Sequence, residues 1–75
     1  MKQVRYTVVI ERGKHGYGAF VPDLPGCVAV GDTEQEVTEL IREAIQFHIE
    51  GLQRDGEPVP PPAARSIEVQ TDVAA

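Results

Sequence analysis

A carboxylate, a thiol and an imidazole are the groups in this chain that could do covalent chemistry together. Asp23 and Cys27 stand four residues apart in Phe20-Val21-Pro22-Asp23-Leu24-Pro25-Gly26-Cys27, and His48 lies further on. A thiol nucleophile needs a nearby base that is itself held in place by a third group. Asp23, Cys27 and His48 have the right types for that trio. The plainer account is stronger. His48 falls at the slot between Ile45 and Leu52 of an apolar helical repeat, where a packed or half-buried histidine is expected. Cys27 opens a short apolar run, where cysteine behaves as a small hydrophobe.

Metal and nucleic-acid chemistry are weaker still. His15, His48 and Cys27 show no ligand pair at zinc-site spacing, so neither a metal nor any other cofactor is expected. Gly13, Gly16 and Gly18 do not match a phosphate loop. The basic cluster Lys2, Arg5, Arg12 and Lys14, with Tyr6 and Tyr17 nearby, is small and belongs to no reader motif. A metal-dependent nuclease would need clustered carboxylates. Glu11, Asp23 and Glu68 are instead scattered between strand and loop positions, so a small hydrolase or nuclease ranks last and no enzyme is expected.

The loop has a mechanical reading. Pro22 fixes φ and stops a strand, and Leu24-Pro25-Gly26-Cys27 suits a type II turn with proline second and glycine third. Asp23 is expected to accept local backbone amides, and Leu24 to fill an apolar gap.

These groups are positioned by simple elements. Val4, Tyr6, Val8 and Ile10 alternate with Arg5, Thr7, Val9 and Glu11, a period-two strand. The polar 12–16 loop turns the chain back into a second strand at 17–21, and Cys27 to Val30 makes a third. Asp32-Thr33-Glu34-Gln35-Glu36 reads as a helix start, with Asp32 or Thr33 capping and Gln35 or Glu36 closing a capping box. Val37, Leu40, Ile41, Ala44, Ile45, Ile49 and Leu52 then mark one face of a helix over about 33–54. Gly56 followed by Pro58 stops it, and the proline-rich 56–62 is a stiff connector. Ser66-Ile67-Glu68-Val69 reads as a fourth strand, and 71–75 as a flexible tail. The expectation is one α+β domain over 1–70 with element order β-β-β-α-β: a three-stranded antiparallel meander plus a fourth strand, and one helix on one sheet face.

Size and charge point to a partner. A chain of 75 residues buries a limited fraction of its surface. With a single cysteine it has no internal disulfide, so self-association is the expected route to stability. Val9 and Phe20 have no place on the helix side of the sheet and are the candidate self-association face. No apolar run is long enough for a signal peptide or a membrane span, which fits a cytoplasmic protein. The net charge is −5. Between Asp32 and Glu57 there are eight acids and two bases. That suits a basic protein partner better than a phosphate backbone. The helix acids Glu36, Glu39, Glu43 and Glu50 are the candidate contact face.

Taken together, Tyr6–Glu11 ("YTVVIE"), Tyr17–Thr33 ("YGAFVPDLPGCVAVGDT") and Glu43–Pro62 ("EAIQFHIEGLQRDGEPVPPP") resemble the HicB family, antitoxins of HicA–HicB toxin–antitoxin modules. The resemblance implies a truncated ribonuclease H-like fold without nuclease activity. It implies a dimer or tetramer that binds a small basic RNA-targeting HicA toxin and covers its active surface. Pro22, Asp23, Leu24, Pro25, Gly26 and Cys27 match the family's signature, which carries no catalytic residue. About a dozen residues follow the connector. The expected form is therefore a short stand-alone one, without the DNA-binding segment many HicB-like proteins carry and without direct nucleic-acid binding. A stand-alone oligomeric regulator or scaffold with no toxin is the alternative.

Overall fold

The computed structural model describes residues 2–74. Met1 and Ala75, the ends of the expected domain and tail, lie outside the described residues. Three strands and one helix form: β1 (Val9–Arg12), β2 (Tyr17–Phe20), β3 (Val28–Gly31) and α1 (Glu34–Arg54). The strands make an antiparallel sheet in the order β1-β2-β3. This is the expected α+β meander with one covering helix.

The register sorts the side chains onto two faces. Ile10, Ala19 and Ala29 sit opposite one another, and so do Val9, Phe20 and Val28. Neighbouring positions of a strand point to opposite faces. Ala19 is buried, so its row faces the helix, and the Val9-Phe20-Val28 row faces outward. The core consists of Ala19, Val21, Leu24, Cys27, Val37 and Ile41, with Tyr6, Val8, Tyr17, Ala29, Ala44 and Ile45 packed around it. Leu24 and Val37 are the largest fully buried side chains. Each is worth about 1.5–3 kcal/mol of burial free energy. Three core residues, Val21, Leu24 and Cys27, come from the loop between β2 and β3, so that loop is part of the core.

Both helix ends are closed by side chain and backbone. Thr33 is the N-cap in an extended conformation, and its hydroxyl accepts the Glu36 amide at 3.0 Å. The Glu36 carboxylate accepts the Asp32 amide at 2.7 Å. At the other end Gly56 has φ +72. Its amide donates to Gln53 and that of Glu57 to Leu52, the paired bonds of a Schellman motif. Gly51 does not interrupt the helix.

Two strand expectations are corrected. The alternation from Val4 to Ile10 suggests a long first strand, yet its ladder begins at Val9. Val8 would pair with Val21, but the Val21 amide donates to the Cys27 carbonyl at 3.2 Å, and Pro22 has no amide. The fourth strand at 66–69 does not form. Pro60, Pro61 and Pro62 lack donors, and residues 65–74 beyond the bonded Ala63 and Ala64 are exposed and pair with no strand among the described residues.

Candidate functional site

The Pro22–Cys27 loop is built from two successive turns. The Leu24 amide donates to Val21, and the Cys27 amide to Leu24, each at 3.0 Å. Gly26 has φ +85, the left-handed position that the third residue of a type II turn requires. The expected turn is therefore present, and Leu24 is buried beneath it.

Asp23 acts at long range instead of locally. Its Oδ2 accepts the amides of Ala63 and Ala64, both at 3.0 Å. Ala64 is held from the other side as well, because the Thr7 hydroxyl donates to its carbonyl at 2.9 Å. The Tyr6 hydroxyl donates to the Pro60 carbonyl at 2.6 Å. The segment from Pro60 to Ala64 is thus strapped against the N-terminal segment and the loop. Burial, and then the charge of Asp23, push the Tyr6 phenol above its ordinary value.

These contacts give the candidate trio no catalytic arrangement. Cys27 is 3% exposed, and burial pushes its thiol up, the opposite of what an attacking thiolate needs. Asp23 is committed to the strap. His48 is half-buried on the body-facing side of α1. Among the described residues, no three His, Cys, Asp or Glu side chains are grouped so as to hold a metal ion.

The acidic helix face is exposed, and its four carboxylates differ. Glu36 is used in the N-terminal cap. Glu39 pairs with Arg42 at 2.9 Å. Glu50 accepts from the Gln46 amide group at 3.0 Å. Among the described residues, no side-chain hydrogen bond or ion pair engages Glu43. Sequence reasoning missed Phe47, which is 71% exposed. Glu36, Leu40, Glu43, Phe47 and Glu50 follow one another at alternating spacings of four and three residues, so they form one stripe along the helix. Leu40, placed by periodicity in the core, lies on this stripe and is 38% exposed. Phe47 was legible as the one large apolar residue out of step with Val37, Ile41, Ala44 and Ile45. An exposed aromatic flanked by carboxylates offers a cation both charge and a π face.

The outer sheet face is apolar too. Val9 is half-buried and Phe20 is 37% exposed, and β3 adds Val28 and Val30. At the far end of the sheet, Arg12, His15, Tyr17, Asp32 and Glu36 border an open depression of about 700 Å³.

Residues 6–74 match the model of the HicB-like antitoxin of bacterial toxin–antitoxin systems. The chain belongs to the HicB-like antitoxin family. It is 47% identical to a protein of Haemophilus phage HP1 over 73% of this chain and 41% of the phage protein. It is 40% identical to a UPF0150 protein of Thermoplasma acidophilum over 88% of this chain and 97% of that one. It therefore spans less than half of the phage relative and nearly all of the archaeal one. The fold is similar to a chain of a solved HicA3 and HicB3 toxin–antitoxin complex, with TM-score 0.68 and 33% identity. That match covers 79% of this chain and 70% of the other. Membership of this family points to a non-enzymatic protein of toxin–antitoxin systems. Among the described residues, no helix is long and apolar enough to cross a membrane.

Proposed function

We propose that this HicB-like chain binds a small basic HicA-type toxin and neutralises it by covering its RNA-acting surface. The contact is the stripe of α1, with Phe47 as the apolar anchor and Glu43 as the free carboxylate beside it. Glu50, Glu39 and Glu36 extend the negative field along the helix. The observation that carries this reading is the exposure of Phe47 within that acidic stripe. Phe, Tyr and Trp side chains dominate interface energetics once a partner buries them, and the acids suit a basic partner. The strapped Pro22–Cys27 loop serves the fold in this account. The protein acts as a homo-oligomer, a dimer or tetramer, joined through the outer sheet face that includes Val9 and Phe20.

Co-expression tests the reading. The chain should restore growth to cells making the HicA-type toxin of the same operon and should co-purify with it. Reversing the charges of Glu36, Glu39, Glu43 and Glu50 should abolish both effects. Rescue by the reversed variant at full strength would place the contact elsewhere. Failure of the native chain to bind or rescue would leave a stand-alone oligomeric regulator as the function.

A further inference from the structure

The chain beyond the strap is an apolar arm with nothing of its own to cover it. Ile67, Val69 and Val73 alternate with Glu68, Gln70 and Asp72, and they are 79%, 75% and 84% exposed. The molecule measures 52 × 26 × 20 Å with a radius of gyration of 14.8 Å. A compact chain of this length would have a radius near ~11 Å, so the arm stands off the body. Its period of two is that of a strand, and a strand needs a ladder.

The sheet offers one edge suited to it. β1 and β3 are the two edge strands. β1 carries Glu11 and Arg12, charges that discourage strand addition. β3 reads Val28-Ala29-Val30-Gly31, with no charge and no proline. Its Val28 and Val30 are 63% and 77% exposed on the outer face. An apolar edge without charge or proline is a template for another strand. The basic partner proposed above is matched by the acidic helix stripe and has no charge to meet here.

We infer that the arm of one copy adds as a fourth strand to the β3 edge of a second copy, and that the exchange is reciprocal. Ile67 and Val69 then lie beside Val28 and Val30 as cross-strand pairs on one face. Each protomer contributes an arm and the four-residue edge Val28–Gly31, fewer than the ~20–30 residues a side of a standard interface, so the outer sheet face must add to the contact. The strap at Asp23, Tyr6 and Thr7 fixes where the arm leaves the body. The strand pattern at 66–69 thus finds its ladder in trans. This inference rests on the self-association reading and adds the arm and the β3 edge to the outer sheet face proposed above.

Sedimentation equilibrium of the full chain separates the two. The native protein should have at least twice the 8.2 kDa chain mass. Ile67→Lys with Val69→Lys, and separately Val30→Lys, should each weaken association at least about tenfold. All three sites are exposed, so circular dichroism should report an unchanged fold. Hydrogen exchange should show that the β3 amides pointing away from β2 are protected in the native oligomer and lose that protection in the arm variant. A monomeric native chain would overturn both the self-association reading and this route. An oligomer unaffected by the arm or edge variants would overturn the route alone. Protection of the β3 edge that appears only when the basic partner is added would do the same.

Discussion

Replacing Asp23 tests the strap most sharply. One carboxylate oxygen accepts two amides, Ala63 and Ala64, each at 3.0 Å. A hydrogen bond to a charged group contributes roughly 1.5–3 kcal/mol, and a neutral one about 1 kcal/mol. The Ala63 bond is exposed and the Ala64 bond half-buried, so the low end of that range applies and screening reduces it further. Asp23→Ala should therefore cost about 2 kcal/mol in all, or about 8–16 °C in Tm for a domain of this size. Asp23→Asn keeps an acceptor but loses the charge, and should cost about half as much. Amide hydrogen exchange reads the effect directly. Ala63 and Ala64 should be protected in the native chain, lose that protection in Asp23→Ala and retain part of it in Asp23→Asn. Freely exchanging Ala63 and Ala64 amides in the native protein, or an Asp23→Ala variant with unchanged melting and exchange, would refute the strap.

The remaining predictions concern the loop and its neighbours. Gly26→Ala should destabilise by about 1 kcal/mol in denaturant titration, because a Cβ is strained at φ +85 although nothing crowds it. Tyr6 titrates above its ordinary 10.0, so the neutral phenol is favoured in the fold. Its contribution is complete below that ordinary value and is lost as pH rises through the raised one. Stability should fall above about pH 10, and Tyr6→Phe, which lacks the titrating group, should flatten that decline. Cys27 should resist a thiol-specific alkylating reagent in the folded protein and react fully once denaturant is added. Rapid native labelling would contradict its buried position.

Much of the architecture is legible because its causes are local. The capping residues Thr33 and Glu36, the Pro25-Gly26 turn and the Gly56 stop all act within a few residues of themselves. The errors are those of tertiary context. Alternation at 4–10 and at 66–69 specifies extended backbone but not a neighbour to pair with, and pairing decides what becomes a strand. Asp23 reaches amides forty residues away, a partner that no local rule identifies. Phe47 was visible as an apolar residue out of helical step, but only the packed helix shows it left in solvent. Leu40 sits at the margin of the apolar face, where periodicity alone cannot assign a side.

The central claim is that the exposed stripe of α1 recognises a basic HicA-type toxin. Calorimetric titration of that toxin with the native chain, with Phe47→Ala and with Glu43→Lys tests it directly. Both side chains are on the exposed stripe, so stability should stay within about 0.5 kcal/mol. Each variant should bind at least about tenfold more weakly, a loss of about 1.4 kcal/mol. Native-like affinity in both variants, with the fold intact, would contradict the claim.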